Sequence, residues 1–583
     1  MSAPTRRWNP VSVDRDHPKY KWVALSNTTL GVLMATVNSS IVIISLPAIF
    51  RGIHLNPLEP GNVGYLLWTL MGFLVVTAVL VVSLGRLGDM YGRVKIYNAG
   101  FVVFTLGSIA LAVDPLTGPS GALWLILWRL VQGVGAAMLF ANSTAILTDA
   151  FPAERRGFAL GINQVAAIAG GFIGLIVGGL LSEVDWRLVF FVSVPIGIVG
   201  TVWSYVSLHE TSQRQRSRID WWGNLLFAVG LTAVLAAITY GIQPYGGHTM
   251  GWTDPKVMGG LIGGVVLLIA FGIVETRVAE PMFAMTLFKI RAFWAGNLAG
   301  LLASVSRGGL QFMLIIWLQG IWLPLHGYKF EDTPLWAGIY LLPLTIAFLV
   351  AGPLSGALSD KFGARTFATG GLLIVALSFL GLMLLPVDFN YWAFAGLLVL
   401  NGIGSGLFSA PNTTAIMNAV PARQRGSASG MRATFFNSGT SLSIGIFFSL
   451  MIAGLASTLP TALHSGLVSH HVPGAAATTV ANQPPVGSLF AAFLGYNPVQ
   501  QLLGAHTLAS LPAGDRTTLT GHSFFPHLIS GPFHHGLVIV FAMAIAMSVI
   551  GALASLLRGS RYVHVDEVPA TGTEAPASEP AAA

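Results

Sequence analysis

The sequence predicts an all-α polytopic membrane protein, and three observations carry that prediction. The 583-residue chain is 54% hydrophobic and only 9% charged, whereas a soluble chain of this size needs far more charge to cover its surface. Apolar runs long enough to cross a bilayer recur from Trp22 almost to the C-terminus, with helical length and not the short alternation of a membrane barrel strand. Lysine and arginine are distributed very unevenly about those runs.

The runs fall near 23–50, 62–84, 96–113, 121–148, 158–181, 188–208, 220–243, 256–275, 292–323, 335–358, 367–386, 391–416, 426–455 and 533–557, which makes fourteen. The first and ninth exceed the bilayer's needs, so tilt, a kink or an interfacial start is expected there. Starting from a cytoplasmic N-terminus, 23 of the cations sort to the inner side, 5 to the outer side, and Arg129 and Arg307 fall inside runs. Inverting the chain destroys that positive-inside bias. An inner, cytoplasmic membrane setting with both termini cytoplasmic is therefore expected.

The remaining segments are read by composition. Residues 456–532 form an outer segment rich in Ala, Pro, Thr and His, expected as a loop, with a mildly apolar patch at Val486–Leu503 that is open to a surface-helix reading. Residues 558–583 read as a disordered cytoplasmic tail. The chain has no cysteine, which excludes disulfides and thiolate metal sites. Its net charge of +7 reflects topology, not a nucleic-acid partner.

The chain repeats itself. GRLGDMYGR at 85–93 aligns with GALSDKFGA at 356–364, matching Gly85, Asp89 and Gly92 to Gly356, Asp360 and Gly363 at an offset of 271. FPAERRGFALG at 151–161 aligns with VPARQRGSASG at 420–430 at 269, and Gly133 and Gly135 meet Gly402 and Gly404 at that same offset. Two six-helix bundles follow, with runs seven and eight between them. The expected division is an N-terminal tail 1–21, a bundle 22–208, a linker with two helices 209–291, a bundle 292–557 containing the outer segment, and the tail 558–583. Parallel duplicated halves suit alternate opening to the two sides of a membrane.

These residues resemble the major facilitator superfamily, and within it the fourteen-span drug:proton antiporters of multidrug exporter type. GRLGDMYGR-VK at 85–95 is similar to the family's loop signature, WRLVQGVGAA at 128–137 to its span-four motif, GGFIGLIVGG at 170–179 to its antiporter motif, and Ile219–Asp220 to the entry of its seventh span. Two positions depart from the pattern. Leu175 stands where the antiporter motif has proline, and VNSSIVIISLP at 37–47 puts Asn38 where the family has a membrane aspartate. Asparagine donates and accepts but does not titrate.

The resemblance implies that Asp89 anchors an inner gate with Arg86, Arg93, Gly85 and Gly92, bonding across to the second bundle, with Asp360 and Arg365 as a weaker copy. Glycines there let helix ends approach and turn. Gly170, Gly174, Gly178 and Gly179 form a helix seam, read either as flexible contact between bundles or as close packing. Buried cations are expensive in a membrane, so Arg129 and Arg307 are coupling candidates. So is Asp149, the deepest carboxylate in a chain with no acid clearly at mid-membrane. Candidates for the cavity are Asn38, Gln132, Asn142, Asn163, Gln164, Gln311, Asn412, Phe312 and Trp317.

No nucleotide loop, catalytic constellation or spaced metal set occurs, so neither enzyme activity nor a cofactor or metal is expected; the pairs His470–His471 and His534–His535 read as unliganded. The leading reading is secondary active export of small amphipathic compounds, drugs included, with proton coupling. One rival moves lipid or another anionic amphiphile with atypical or no proton coupling, because two membrane cations lack acids. The other is a transport-inactive membrane organiser acting through 456–532. Oligomeric state is left open.

Overall fold

The computed structural model describes residues 17–56, 59, 61–210, 220–281, 283–421, 424–495 and 497–559. Most of both expected tails, 1–21 and 558–583, falls outside them. Among the described residues fourteen helices are long and apolar enough to span a membrane. Spans 1–6 are Tyr20–Gly52, Asn62–Tyr91, Arg93–Ala112, Gly118–Ala150, Ala159–Val184 and Leu188–Ser207. Spans 7 and 8 are Trp221–Gly241 and Pro255–Glu275. Spans 9–14 are Arg291–Leu325, Phe330–Ser359, Ala364–Leu384, Tyr391–Asn418, Ser427–Val468 and Phe524–Leu556.

Many of these segments are rich in valine and isoleucine, poor helix formers in water. They are helical here because a backbone in hydrocarbon must satisfy its own N–H and C=O groups. Their outward faces need no polar cover: Met258, Ile262, Val266, Ile269 and Ile273 form an exposed stripe down span 8 at helical spacing.

Spans 1–6 pack on one another, as do 9–14, and the repeat governs both packings. A methyl group on Gly133 would meet the Phe73 carbonyl at 3.0 Å, and one on Gly402 would strike that of Leu344, the residue 271 positions after Phe73. Gly135 lies against Gly100 and Phe104, while Gly404 lies against Gly371 and Val375. Gly85 faces Ala141 and Gly356 faces Ala410. Spans 2 and 3 break at Gly92 (φ +116°), and spans 10 and 11 break at Gly363 (φ +88°), backbone values that side chains resist. The duplication is thus visible in contacts as well as in letters.

The bundles meet where span 2 packs on span 13 and span 5 on span 10, and span 7 touches both 2 and 13. Below, the face carrying the Arg86–Arg93 turn is the turn face, and the opposite one is the cap face. The excess length of span 9 is absorbed by a π-helical segment, Leu318–Trp322. There buried Gln319 donates from Nε2 to the Ile44 carbonyl of span 1 at 3.3 Å.

The outer segment departs from the loop expectation. Span 13 runs on to Val468 and span 14 begins at Phe524, and between them lie helices Gly474–Ala481, Pro485–Phe493, Pro498–Ser510 and Ala513–Thr520. All nine residues of Pro485–Phe493 are buried. Phe490 stacks on Phe448 at 5.3 Å, and Phe493 meets Phe312 edge-on at 5.7 Å. The helix is wedged beside the π-helical segment, because burying a run of Val, Leu and Phe offsets the ordering of a segment that is otherwise small and polar.

Candidate functional site

Arg129 is the centre of the first polar cluster. It is 1% exposed, and its Nη1 donates to Asn38 Oδ1 at 2.5 Å and Gln132 Oε1 at 2.7 Å. Its Nε donates to the Thr69 carbonyl at 3.3 Å, and its guanidinium lies over Phe73 at 4.4 Å. Gln132 Nε2 donates to Ser108 Oγ at 2.8 Å and Asn38 Nδ2 to Ser193 Oγ at 3.2 Å. Spans 1, 2, 3, 4 and 6 are therefore tied to one cation by neutral groups. The aspartate that the resembled family places at Asn38 would sit directly on Arg129, so the departure read from sequence removes the carboxylate that would neutralise this arginine.

The charged turn is built differently from the expectation. Arg93 Nε donates to Asp89 at 2.7 Å, and Arg93 Nη1 forks both oxygens of Asp149 at 2.7 Å. Asp89 and Asp149 thus clasp spans 2, 3 and 4 inside one bundle, and among the described residues Asp89 does not reach the second. Geometry explains this: Gly92 turns the chain so sharply that Arg93 falls back beside Asp89 one helical turn away. A methyl group on Gly88 would strike Asn142, whose Nδ2 donates to the carbonyls of Leu84 and Met138 at 3.3 and 2.9 Å. The link away from this bundle comes from Arg86, which donates to the carbonyls of Glu280 (3.0 Å) and Pro281 beyond span 8. Arg365 is exposed, and the Asp360 side chain lies outside the described residues.

Glycines of span 5 divide by face. Methyl groups on Gly174 and Gly178 would come within 2.5 Å of the Val37 carbonyl and Ile44 Cγ2 of span 1, and Gly170 likewise meets Thr36. Their four-residue spacing keeps them on one stripe, and that stripe packs within the bundle. A methyl group on Gly179, one residue round the helix, would lie 2.5 Å from Leu335 Cα of span 10. Leu175, at the position of the family's proline, packs its backbone on span 10, where a methyl on Gly338 would lie 3.2 Å from the Leu175 carbonyl. Contact between bundles on the cap-face side of spans 5 and 10 therefore rests on Leu175, Gly179, Leu335 and Gly338. Toward the turn face, a methyl on Gly161 meets nothing within 4 Å.

Most of the remaining candidates fall inside polar or aromatic packing. Asn163 donates to Ser143 at 2.9 Å and Asn412 donates to the Gly296 carbonyl at 3.2 Å. Phe312 and Trp317 are buried in aromatic clusters, Trp317 against Phe389 at 4.9 Å. These two fill the interior of the second bundle and its junction with the cap, because aromatic edges and faces are satisfied there by other rings. Gln164 is exposed and Gln311 half-buried. Arg307 lies over Phe348 of span 10 at 4.6 Å, with no hydrogen bond or carboxylate partner among the described residues.

Sequence reasoning missed three features. Arg558, just past span 14, is buried and donates to Asn412 Oδ1; burial lowers its pKa to about 10. Arg432 in span 13 has a buried Nε with no partner among the described residues, although the charge distribution alone places both arginines with the inner-side cations. His470 and His471 converge on Asp515, at 3.1 and 2.8 Å, and Asp515 is the only carboxylate between 456 and 532, a signal that was available in the sequence. Those two hydrogen bonds hold Asp515 below the usual carboxylate range.

Three kinds of likeness complete the description. A family model described as Major Facilitator Superfamily matches residues 28–305 and 275–444. Among curated relatives, the "Tetracenomycin C resistance and export protein" of Streptomyces glaucescens is 26% identical over 96% of this chain and 94% of its own. "Multidrug resistance protein Stp" of Mycobacterium tuberculosis is 30% identical over 77% of this chain and 80% of its own. Among solved structures, a bacterial homolog of the human lysosomal transporter Spinster, in an inward-facing and occupied conformation, superposes with a TM-score of 0.57. It is 17% identical, covering 94% of this chain and 98% of that one.

Proposed function

Because the chain belongs to the Major Facilitator Superfamily, and is thus a multi-pass secondary transporter of small molecules related to drug-resistance proteins, we propose that it exports small amphipathic compounds, drugs among them, from the cytoplasm by alternating access. The turn face is cytoplasmic in this reading, with both termini on that side of the inner membrane, as the distribution of arginine and lysine requires. The observation that carries it is the narrow seam: spans 5 and 10 touch through Leu175, Gly179, Leu335 and Gly338 near the cap face, while a methyl on Gly161 toward the turn face would meet no described atom within 4 Å. Two similar bundles that meet through small residues there, with spans 2 and 13 packed alongside, can rock about that contact. Arg86 on the 280–281 carbonyls is a fastening on the opposite face, held by charge-assisted hydrogen bonds of about 1.5–3 kcal/mol each when shielded. Drug-resistance and export names among the relatives support the direction.

Proton exchange drives the cycle in this reading, without Asn38 as its carrier. Asp149 is the carboxylate of the charged turn that bridges spans 3 and 4. The test is uptake of an amphipathic dye into inverted vesicles under an imposed pH gradient. Gradient-driven accumulation, abolished by Asp149→Asn while dye still binds, supports the reading; accumulation indifferent to pH overturns the coupling, and no movement of any cargo overturns export.

A second reading has its own observation. Arg129 is satisfied by neutral groups and Arg307 lies on the face of Phe348, so neither guanidinium has a carboxylate partner among the described residues. An anionic amphiphile or a lipid headgroup complements that charge better than a cationic drug does. Competition of dye uptake by anionic against cationic analogues of equal size separates the two readings.

A further inference from the structure

We propose that Asp220 and Glu275, at the turn-face ends of spans 7 and 8, form a proton-binding site in which two carboxyl groups share one proton. We propose further that its occupancy reaches the charged turn through Phe283 and Arg86. The site stands on its own geometry; its effect on transport rests on the reading above.

Asp220 is 6% exposed and Glu275 2%. One oxygen of each is accounted for. Asp220 Oδ1 caps span 7 by accepting from the Gly223 N–H at 2.8 Å, and Glu275 Oε2 accepts from the Phe283 N–H at 2.8 Å. The other two, Asp220 Oδ2 and Glu275 Oε1, are buried with no donor among the described residues. They aim at one point. A methyl group on Gly223 would lie 2.5 Å from Glu275 Oε1 and closer still to Asp220 Oδ2, so only glycine leaves the two carboxyls facing one another.

An ionised carboxylate accepts hydrogen bonds and donates none. Two bare oxygens held together away from water therefore repel, and no hydrogen-bond donor among the described residues relieves them. A single proton changes this: it makes one carboxyl a donor and closes an O–H···O⁻ bond, the short charge-assisted kind. The pair then behaves as one titrating unit.

The groups facing it are few. Among the described residues, span 7 contributes Asp220 itself and span 2 contributes Arg86, the one cation whose field reaches Glu275. Arg86 spends its guanidinium on the carbonyls of Glu280 and Pro281, in the same short loop whose Phe283 N–H holds Glu275. Span 2 is also tied to span 7 through Ser83 and Asn224. When the proton leaves to solvent at the turn face, one O–H bond breaks and a second buried negative charge appears. Arg86 is the nearest compensating charge, and drawing it toward the carboxylates releases the 280–281 carbonyls. Proton loss thus loosens the link between the charged turn and the loop that leads into span 9. Spans 7 and 8 lie outside the repeated bundles, so neither half of the repeat contains a counterpart.

The test uses the full chain in lipid. Infrared difference spectra taken across a pH titration should show one protonated-carboxyl C=O band that disappears on deprotonation. That band should be lost in Glu275→Gln and in Asp220→Asn, the latter keeping a good cap, and should persist in Asp149→Asn. Gly223→Ala, which pushes the carboxyls apart without removing either, is the control should one of the others fold poorly, and it too should lose the shared-proton band. In proteoliposomes, Glu275→Gln should shift the turn-face pH profile of transport while gradient-driven movement and cargo binding persist. A band that survives in Glu275→Gln, or an unchanged pH profile in that variant, overturns the proposal. A titrating band in a protein that moves no cargo upholds the site and overturns the transport reading instead.

Discussion

Asn38→Asp exchanges one amide for one carboxylate oxygen pair of nearly the same shape, beside a cation that already lies 2.5 Å from Asn38 Oδ1. The magnitude follows from two opposing terms. Unit charges about 4 Å apart attract by about 4 kcal/mol at an effective dielectric of 20. Burying a carboxylate costs several kcal/mol. These nearly cancel, and Ser193 turns its hydroxyl from acceptor to donor, so the substitution alone should change stability by less than about 2 kcal/mol. The coupling between positions 38 and 129 should change much more. In the natural chain it is a charge-assisted bond to a neutral amide, worth about 1.5–3 kcal/mol. In the variant, removing Arg129 strands a buried carboxylate, which costs about 3–5 kcal/mol. A double-mutant cycle with Arg129→Met, read by thermal unfolding in detergent at neutral pH, measures both values. Equal coupling energies in the two backgrounds, or a coupling below about 0.5 kcal/mol in either, would refute the reasoning that Asn38 has replaced an ion pair with a neutral clamp.

Three further outcomes are expected. Gly179→Val should force Leu335 away and lower crosslinking between the cap-face ends of spans 5 and 10, while Gly174→Val, on the stripe facing span 1, should chiefly destabilise the first bundle, by about 1–3 kcal/mol. Asp515 titrates below the ordinary carboxylate range because His470 and His471 hold it; a depressed value contributes stability that is present above the unfolded pKa, about 3.9, and lost only as pH falls through the folded one. Hydrogen exchange over 469–523 should therefore stay slow at neutral pH, quicken only under strong acid, and be fast at every pH in Asp515→Asn. Phe490→Ala removes a ring stacked on Phe448 and should cost about 3–5 kcal/mol, with protease sensitivity appearing first between Pro485 and Phe493; a stable, resistant variant would show that the cap is not held by this burial.

The number of spans, their helical character and the duplication were legible in the sequence, because bilayer thickness fixes run length and because matched turns survive as matched letters. Gly85 and Gly133 and their partners keep corresponding neighbours in both halves, and Gly92 and Gly363 turn the chain with positive φ in both, so the repeat in residues is largely a repeat in contacts. The buried Pro485–Phe493 helix was not legible: its apolar run is too short to span a bilayer, and nothing local says that Phe448 and Phe312 will meet it. Composition also gave no means of dividing Gly174 from Gly179, since both are small and both lie in one motif.

Charge shows the same boundary. That position 38 carries no carboxylate follows from the letters alone, as does the isolation of Asp515, whereas the meeting of Asn38 with Arg129 is a tertiary contact. That Asp89 bonds within its own bundle, that Arg86 reaches beyond it, and that Asp220 faces Glu275 from fifty-five positions away were decided only by tertiary packing. The physical reason is that the bilayer acts on each segment separately and so writes its demands locally. The partner of a buried charge is chosen by which helices are neighbours, and that choice is made by packing between distant segments.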